Sequence, residues 1–190
     1  MSEFEQMVTA LVKPGDKIIE ALSPAKAHLM HMAVGISGEV TGELLDEIYS
    51  ADMLGRSIDK DNIIEELGDI EFFMEGLRQG AGITRVECQM AYRHDEPIAV
   101  VPLIGLNVIS GQLLDLIKKH VIYGKELDRA GVVERLGAMD FYLKQIYAEF
   151  YITREHALEK NVEKLLKGKN ARYAAGAYSD KAAQDRADKQ

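Results

Sequence analysis

Four carboxylates are spaced so that each pair shares one side of a helix: Glu39 with Glu43, and Glu66 with Asp69. Residues three or four apart are neighbours on a helical surface. The first pair lies in HMAVGISGEVTGELLDEI, from His31 to Ile48, and the second in NIIEELGDIEFFMEGL, from Asn62 to Leu77. At about 100° per residue, Ala33, Ile36, Val40, Leu44 and Ile48 form one apolar stripe, with Glu43 at its edge and Glu39 one step further round. Ile63, Leu67, Ile70, Phe73, Met74 and Leu77 form the second stripe. Glu66 falls between Ile70 and Phe73, with Asp69 beside it. Four carboxylates aimed at a helix–helix seam repel one another and resist desolvation. A divalent cation resolves both problems, and hard cations such as Mg²⁺ take carboxylate oxygens. A solvated acidic face accounts for Asp46, Asp52, Asp59 and Asp61. It does not account for Glu66, which has apolar neighbours on both sides.

The elements that must position these groups are helices, and no period-2 strand pattern occurs anywhere. The N-terminal 22 residues are expected to hold one short helix, broken at Pro14-Gly15. Ser23-Pro24 opens the helix of the first pair, which is expected to end near Ala51. Gly38 and Gly42 inside it suggest close approach of another backbone or a ligand. Asp59 or Asp61 caps the helix of the second pair, which runs to about Gln79 before Gly80-Ala81-Gly82. Thr84 caps a third helix, Pro97 opens a fourth, Arg129 to Phe150 form a fifth, and Thr153 caps a sixth running to about Lys167. The remainder is expected to be an irregular arm and a frayed helix.

The chain has 190 residues and a formal net charge of −8, which argues against a nucleic-acid polymer as the main partner. Cys88 is the only cysteine, so no intrachain disulfide or cysteine-based zinc site is available, which fits a reducing cytoplasm. The polar start does not resemble a signal peptide. The apolar run from Pro97 to Leu106 is too short to span a bilayer.

A shift of 69 positions lays the chain over itself. Gly42-Glu-Leu-Leu-Asp-Glu-Ile48 falls on Gly111-Gln-Leu-Leu-Asp-Leu-Ile117. Gly55 falls on Gly124 and Asp59 on Asp128. Glu65 to Phe72 fall on Glu134 to Phe141, and Ile83-Thr-Arg85 on Ile152-Thr-Arg154. This reads as a tandem duplication. At that shift Glu39, Glu43, Glu66 and Asp69 fall on Val108, Gln112, Arg135 and Ala138, so all four carboxylates are lost in the second copy. Arg135 is expected to pair with Glu134, with Asp140 or with an acidic residue across the seam, or else to reach a substrate phosphate.

The first copy resembles the MazG-like family of all-α nucleoside triphosphate pyrophosphohydrolases, especially its phage-encoded members. The family pattern is a Glu-x-x-Glu pair on one helix and a Glu-x-x-Asp pair on the next. The second is intact as Glu66-Leu-Gly-Asp69, and His31-x-x-x-Gly35-Ile-x-Gly-Glu39 also matches. Gly38-Glu-Val-Thr-Gly-Glu43 has one residue more than the usual Gly-Glu-x-Gly-Glu. Lys160-Asn161-x-x-Lys164-Leu, followed by Arg172-Tyr173, is similar to the family's phosphate- and substrate-contacting tail. For Lys160, Lys164 and Arg172 the plainer alternative is a solvated basic helix end.

The resemblance implies an all-α bundle of two repeats, 1–95 and 96–168, forming a pseudo-dimer within one chain that can associate further, with an arm at 169–190. It implies Mg²⁺-dependent hydrolysis of a (deoxy)nucleoside triphosphate to the monophosphate and pyrophosphate in the cytoplasm, that of the host cell if phage-encoded, with no membrane partner. Mg²⁺, with Mn²⁺ as substitute, is expected on Glu39, Glu43, Glu66 and Asp69. Glu39 is the expected catalytic base, acting on water. His31, Lys160, Asn161, Lys164, Arg172 and Tyr173 are the expected substrate contacts. His31 either meets the base or packs beside the apolar stripe; Phe72, Phe73, Phe141 and Tyr142 are expected in the core. A nucleotide-binding pseudoenzyme is the alternative. A di-iron bundle is disfavoured because neither Glu39 nor Glu66 has a histidine three residues on.

Overall fold

Short side chains set most helix starts. The Ser23 hydroxyl accepts the Lys26 N–H, Asp59 accepts from Asp61 and Asn62, Thr84 from Glu87, Asp128 from Gly131, and Thr153 from His156. The computed structural model of the chain describes residues 1–92 and 101–189. Its helices are α1 (Glu3–Leu11), α2 (Gly15–Ala21), α3 (Pro24–Gly38), α4 (Leu45–Leu54), α5 (Lys60–Ala81), α6 (Arg85–Ala91), α7 (Pro102–Val121), α8 (Arg129–Glu149), α9 (Arg154–Val162) and α10 (Asp180–Asp185). Among the described residues there is no strand, and the chain is an all-α bundle. No described helix is long and apolar enough to cross a membrane. The expected helix start at Pro97 and the boundary between 95 and 96 lie outside the described residues.

Two boundaries differ from expectation. A second N-terminal helix, α2, follows Pro14, because that proline ends one helix and stands just before the next. The helix of the first carboxylate pair continues past Ala51 to Leu54, where Gly55 adopts a left-handed conformation that only glycine takes without strain. Neither α1 nor α2 buries a residue. The segment between them is anchored by the Lys13 ammonium, which donates to the Ile122 carbonyl.

A π-helical turn, Glu39–Leu44, joins α3 to α4. Such a turn absorbs one residue more than an α turn and is often found at functional sites. Burial shows the consequence. Ile36, Val40 and Leu44 are buried, whereas the corresponding row on α7 is Leu106, Ser110 and Leu113. The first row takes one residue more to make the same two steps. The extra residue of Gly38-Glu-Val-Thr-Gly-Glu43 is thus accommodated without rotating either flanking stripe out of the core. Gly35 lies against Phe73 and Gly105 against Tyr142, and an added Cβ on either would stand 2.4 Å from the ring. Before the turn the correspondence is therefore one position longer, and Glu39 falls on Ile109 rather than Val108. A Cβ added at Gly38 or Gly42 would meet nothing within 4 Å, so among the described residues no other backbone presses on either glycine.

The core is the packing of α3 on α5 and of α7 on α8, with α3 against α7 at the centre. Apolar side chains such as Ile36, Leu67, Leu106 and Leu136 are fully enclosed, each contributing roughly 1.5–3 kcal/mol by burial. The third helix of each half crosses over: α6 packs on α8, and α9 packs on α5. Gly68 lies under Ala157 and Asn161, and Gly137 lies under Cys88 and Tyr92. These two contacts are the same contact 69 residues apart, with the halves exchanged. A twofold-related interface has this property.

The charges at the crossing follow the same rule. Arg154 pairs with Glu71, and Arg85 pairs with Asp140. Arg85 also reaches Glu71, and Arg78 reaches Asp140 at 3.0 Å. Glu71 and Arg78 are each 1% exposed, so this is a buried network and its members depend on one another. Arg135 pairs instead with the adjacent Glu134, at 2.5 Å, and among the described residues forms no ion pair with Asp140 or with the first half.

Candidate metal centre and its cavity

Three of the four expected ligands converge. Glu39 comes from the π turn, and Glu66 and Asp69 come from one face of α5. Each offers an oxygen lying within 4.8 Å of the others. Glu43 is exposed and lines the same cavity, but it stands outside that set. Glu66 is 5% exposed, as its place between Ile70 and Phe73 on the wheel requires.

The electrostatics are those of crowded carboxylates. Burial, and then the charges of Glu39 and Asp69, push the Glu66 carboxyl up to about 8. Burial and Asp69 raise Glu39 as well. Glu39 and Glu66 hydrogen-bond each other, so the pair shares a proton. Asp69 is held differently. Its Oδ1 accepts from Asn161 Nδ2 at 2.6 Å, and its Oδ2 accepts from the Lys164 ammonium at 2.5 Å. Lys164 also reaches Glu65 at 3.2 Å. For Glu65, burial favours the neutral form, but Lys189 and Lys164 outweigh it and bring the carboxyl below its usual range.

The donor set is all carboxylate oxygen, which suits a hard divalent cation. The excess negative charge points the same way. Two lysines and a shared proton are needed to hold it, which is what a site built to take added positive charge requires.

These groups line one side of a cavity of about 930 Å³. His31, Phe72 and Phe73 form an aromatic wall: His31 meets Phe73 edge-on with ring centroids 5.9 Å apart, and Phe72 meets Phe73 at 5.3 Å. Phe72 is 49% exposed, which corrects its expected place in the core. It lines the cavity instead of packing between helices. Phe73 is half-buried.

The arm supplies the opposite wall. Residues 168–189 fold back instead of fraying, and Arg172, Tyr173, Tyr178, Arg186 and Lys189 line the cavity. The Arg172 guanidinium, expected on substrate, makes a two-bond pair with Asp188, at 2.7 and 2.6 Å. Lys160 pairs with Glu163 on the surface and lines only a neighbouring cavity of about 440 Å³. That pair leaves it the solvated helix-end role. Asn161 and Lys164 do reach the site, and Tyr173 stacks near Tyr178 at 5.9 Å.

The equivalent position in the second half differs throughout. Arg135 and Ala138 replace Glu66 and Asp69, and Tyr92 stands where Asn161 does. The Tyr92 ring packs near Phe141, at 5.6 Å. Among the described residues no second cluster of possible metal ligands occurs. Glu65, Asp188 and Lys189 were not singled out by spacing. Glu65 stands one residue from Glu66, but its role depends on lysines far along the chain. No family model, curated protein or solved structure matches the chain.

Proposed function

We propose that the protein is a Mg²⁺-dependent nucleoside triphosphate pyrophosphohydrolase, releasing pyrophosphate and a nucleoside monophosphate, with deoxynucleotides favoured. The observation that carries this reading is the convergence of Glu39, Glu66 and Asp69 on a cavity with an aromatic wall and cations opposite. Glu39, Glu66 and Asp69 would hold the cation, which supplies charge neutralisation to phosphate oxygens. Glu39 accepts a hydrogen bond from the attacking water and takes its proton. The water oxygen bonds to the α-phosphorus, the α–β bridging bond breaks, and pyrophosphate leaves with the bond's electrons. Asn161 and Lys164 orient Asp69 until the phosphates draw Lys164 toward them. His31, Phe72 and Phe73 offer ring edges and faces to a base.

The exchanged pairs Arg154–Glu71 and Arg85–Asp140 support a duplication in which one chain forms a pseudo-dimer. One half keeps the site and the other has lost it. A second reading, a metal-poor nucleotide-binding protein, is favoured by one observation: Lys164 and Lys189 already neutralise Asp69 and Glu65. Incubation with each NTP and dNTP plus Mg²⁺, followed by separation of products, discriminates the two. Monophosphate and pyrophosphate in equal amounts support the hydrolase, and unchanged nucleotide with measurable binding supports the alternative.

A further inference from the structure

The arm closes on the cavity in a defined way. Its first turn is tied to the end of α9's π-helical extension by backbone bonds from Arg172 to the Lys164 carbonyl, 3.0 Å, and from Tyr173 to the Leu165 carbonyl, 2.8 Å. Its far end is tied by Asp188, whose side chain is 2% exposed and takes both Arg172 bonds. Between α10 and the 3₁₀ turn Ala187–Lys189, Arg186 adopts a left-handed conformation, φ 47°, which favours glycine over residues with a side chain. The latch therefore maintains an unfavourable backbone turn. The turn places Arg186 on the cavity and brings the Lys189 ammonium 2.6 Å from Glu65. Arg186 lies 3.9 Å from Asp188 and remains 48% exposed at its side chain, so its charge is still available.

We propose that the arm completes a pyrophosphate-binding subsite. Arg186 and Lys189 line the cavity beside Lys164, which sits on Asp69, and the Arg172–Asp188 pair is the latch that positions the two arm residues. The ligand class is a magnesium-complexed diphosphate, whether the outer phosphates of a substrate or free pyrophosphate. This identity rests on the hydrolase reading. Lys164 and Lys189 are held on Asp69 and Glu65 when no phosphate is present. Both would be free to turn to phosphate once a divalent ion held by Glu39, Glu66 and Asp69 balanced the local negative charge. The subsite adds Arg186 and Lys189, from the end of the arm, to the residues that the resemblance placed on substrate. Charge-assisted bonds to phosphate are among the strongest a side chain makes, and a flexible arm contributes them only when latched.

The test is calorimetric titration of inorganic pyrophosphate, with Mg²⁺ present, into the full chain and three variants. Lys189→Met and Asp188→Asn are each expected to weaken binding about tenfold. Lys181→Met, on the exposed side of α10, is expected to leave it unchanged. Mn²⁺ titration without pyrophosphate is run on the same proteins, where Lys189→Met should bind the ion as well as or better than the parent. Pyrophosphate affinity that falls less than fivefold in either variant, or no pyrophosphate binding by the parent, overturns the subsite. Failure of the parent to bind Mn²⁺ counts against the hydrolase reading instead, so the two failures are distinguishable. Triphosphate titration of the uncleaved complex, using a non-hydrolysable α,β-linked analogue, separates substrate from product as the source.

Discussion

Arg154 closes on Glu71 across 83 positions of the chain, Nε to Oε1 at 2.6 Å and Nη2 to Oε2 at 2.9 Å. Glu71 is buried on the helix that also carries Glu66 and Asp69, and Arg154 opens the helix that carries Asn161 and leads into the π-helical turn Glu163–Lys167, which holds Lys164. The pair therefore sets α9 on α5 at the height at which Asn161 and Lys164 meet Asp69. Its counterpart, Arg85 on Asp140, sets α6 on α8.

Asp140→Ala is expected to destabilise the fold by about 3–5 kcal/mol in urea unfolding. It removes the main partner of Arg78, whose side chain is 1% exposed, and a buried charge left uncompensated is costly. Glu134→Ala, which removes only the partner of a partly exposed arginine, should change stability by less than about 0.5 kcal/mol. Equal effects of the two substitutions would contradict a buried network.

Deleting Thr41 converts Gly38-Glu-Val-Thr-Gly-Glu43 to the shorter spacing and should replace the π turn with regular α-helix. Thr41 is exposed, and its one recorded side-chain bond is from Asn107 at 3.1 Å. The deletion variant is expected to fold with full helix content by circular dichroism, because α7 makes the same buried row with one residue fewer. Loss of the fold would show that the π turn does more than absorb an inserted residue.

Much of this was legible because it is local. Ser23-Pro24, Asp59, Thr84 and Thr153 cap helices through contacts within three residues, so the sequence displays them directly. The wheel position of Glu66 also predicted its burial. The π turn was visible only as a one-residue departure from a motif, and nothing local says whether a chain loops out or overwinds at such a point. Phe72 differs from its expected place because periodicity shows that a residue is apolar but not whether it meets the core or a cavity wall. Glu71 and Arg78 look like surface charges until partners 83 and 62 positions away arrive. Asp188 and Lys189 belong to a polar tail with no periodicity, and only the folded arm brings them to Arg172 and Glu65.

The pH dependence of stability should reverse on adding a divalent ion. Glu66 is pushed from 4.5 to about 8 in the folded protein. A folded-state proton is thus held where the unfolded chain has released it. The resulting stability is complete below about pH 4.5 and is lost as pH rises through 8, by up to ~1.4 kcal/mol per unit. Melting temperature in chelator should fall between pH 5 and 8. With saturating Mg²⁺ the fall should shrink or change sign, since the ion takes the place of the proton. Parallel curves with and without Mg²⁺ would count against a cation on Glu66.

Arg135→Glu is expected to leave one divalent-ion site per chain in an equilibrium titration. Ala138 supplies no oxygen where Asp69 does, and Tyr92 takes the place of Asn161. Two equivalent sites, in either the parent or the variant, would refute a live half and a vestigial half.

The central claim is metal-dependent cleavage of a nucleotide at Glu39, Glu66 and Asp69, and the most direct measurement is pyrophosphate release from a panel of NTPs and dNTPs by the parent and Glu66→Gln. The variant should fold normally, because it replaces a carboxyl that is already largely protonated in the folded protein near neutrality. Its turnover should drop by roughly 10²–10³-fold, as removal of one group stabilising charge in a transition state typically does. Mg²⁺-dependent release by the parent, lost in chelator and in the folded variant, is the predicted result; equal release by parent and variant, or none by the parent on any nucleotide, would contradict it.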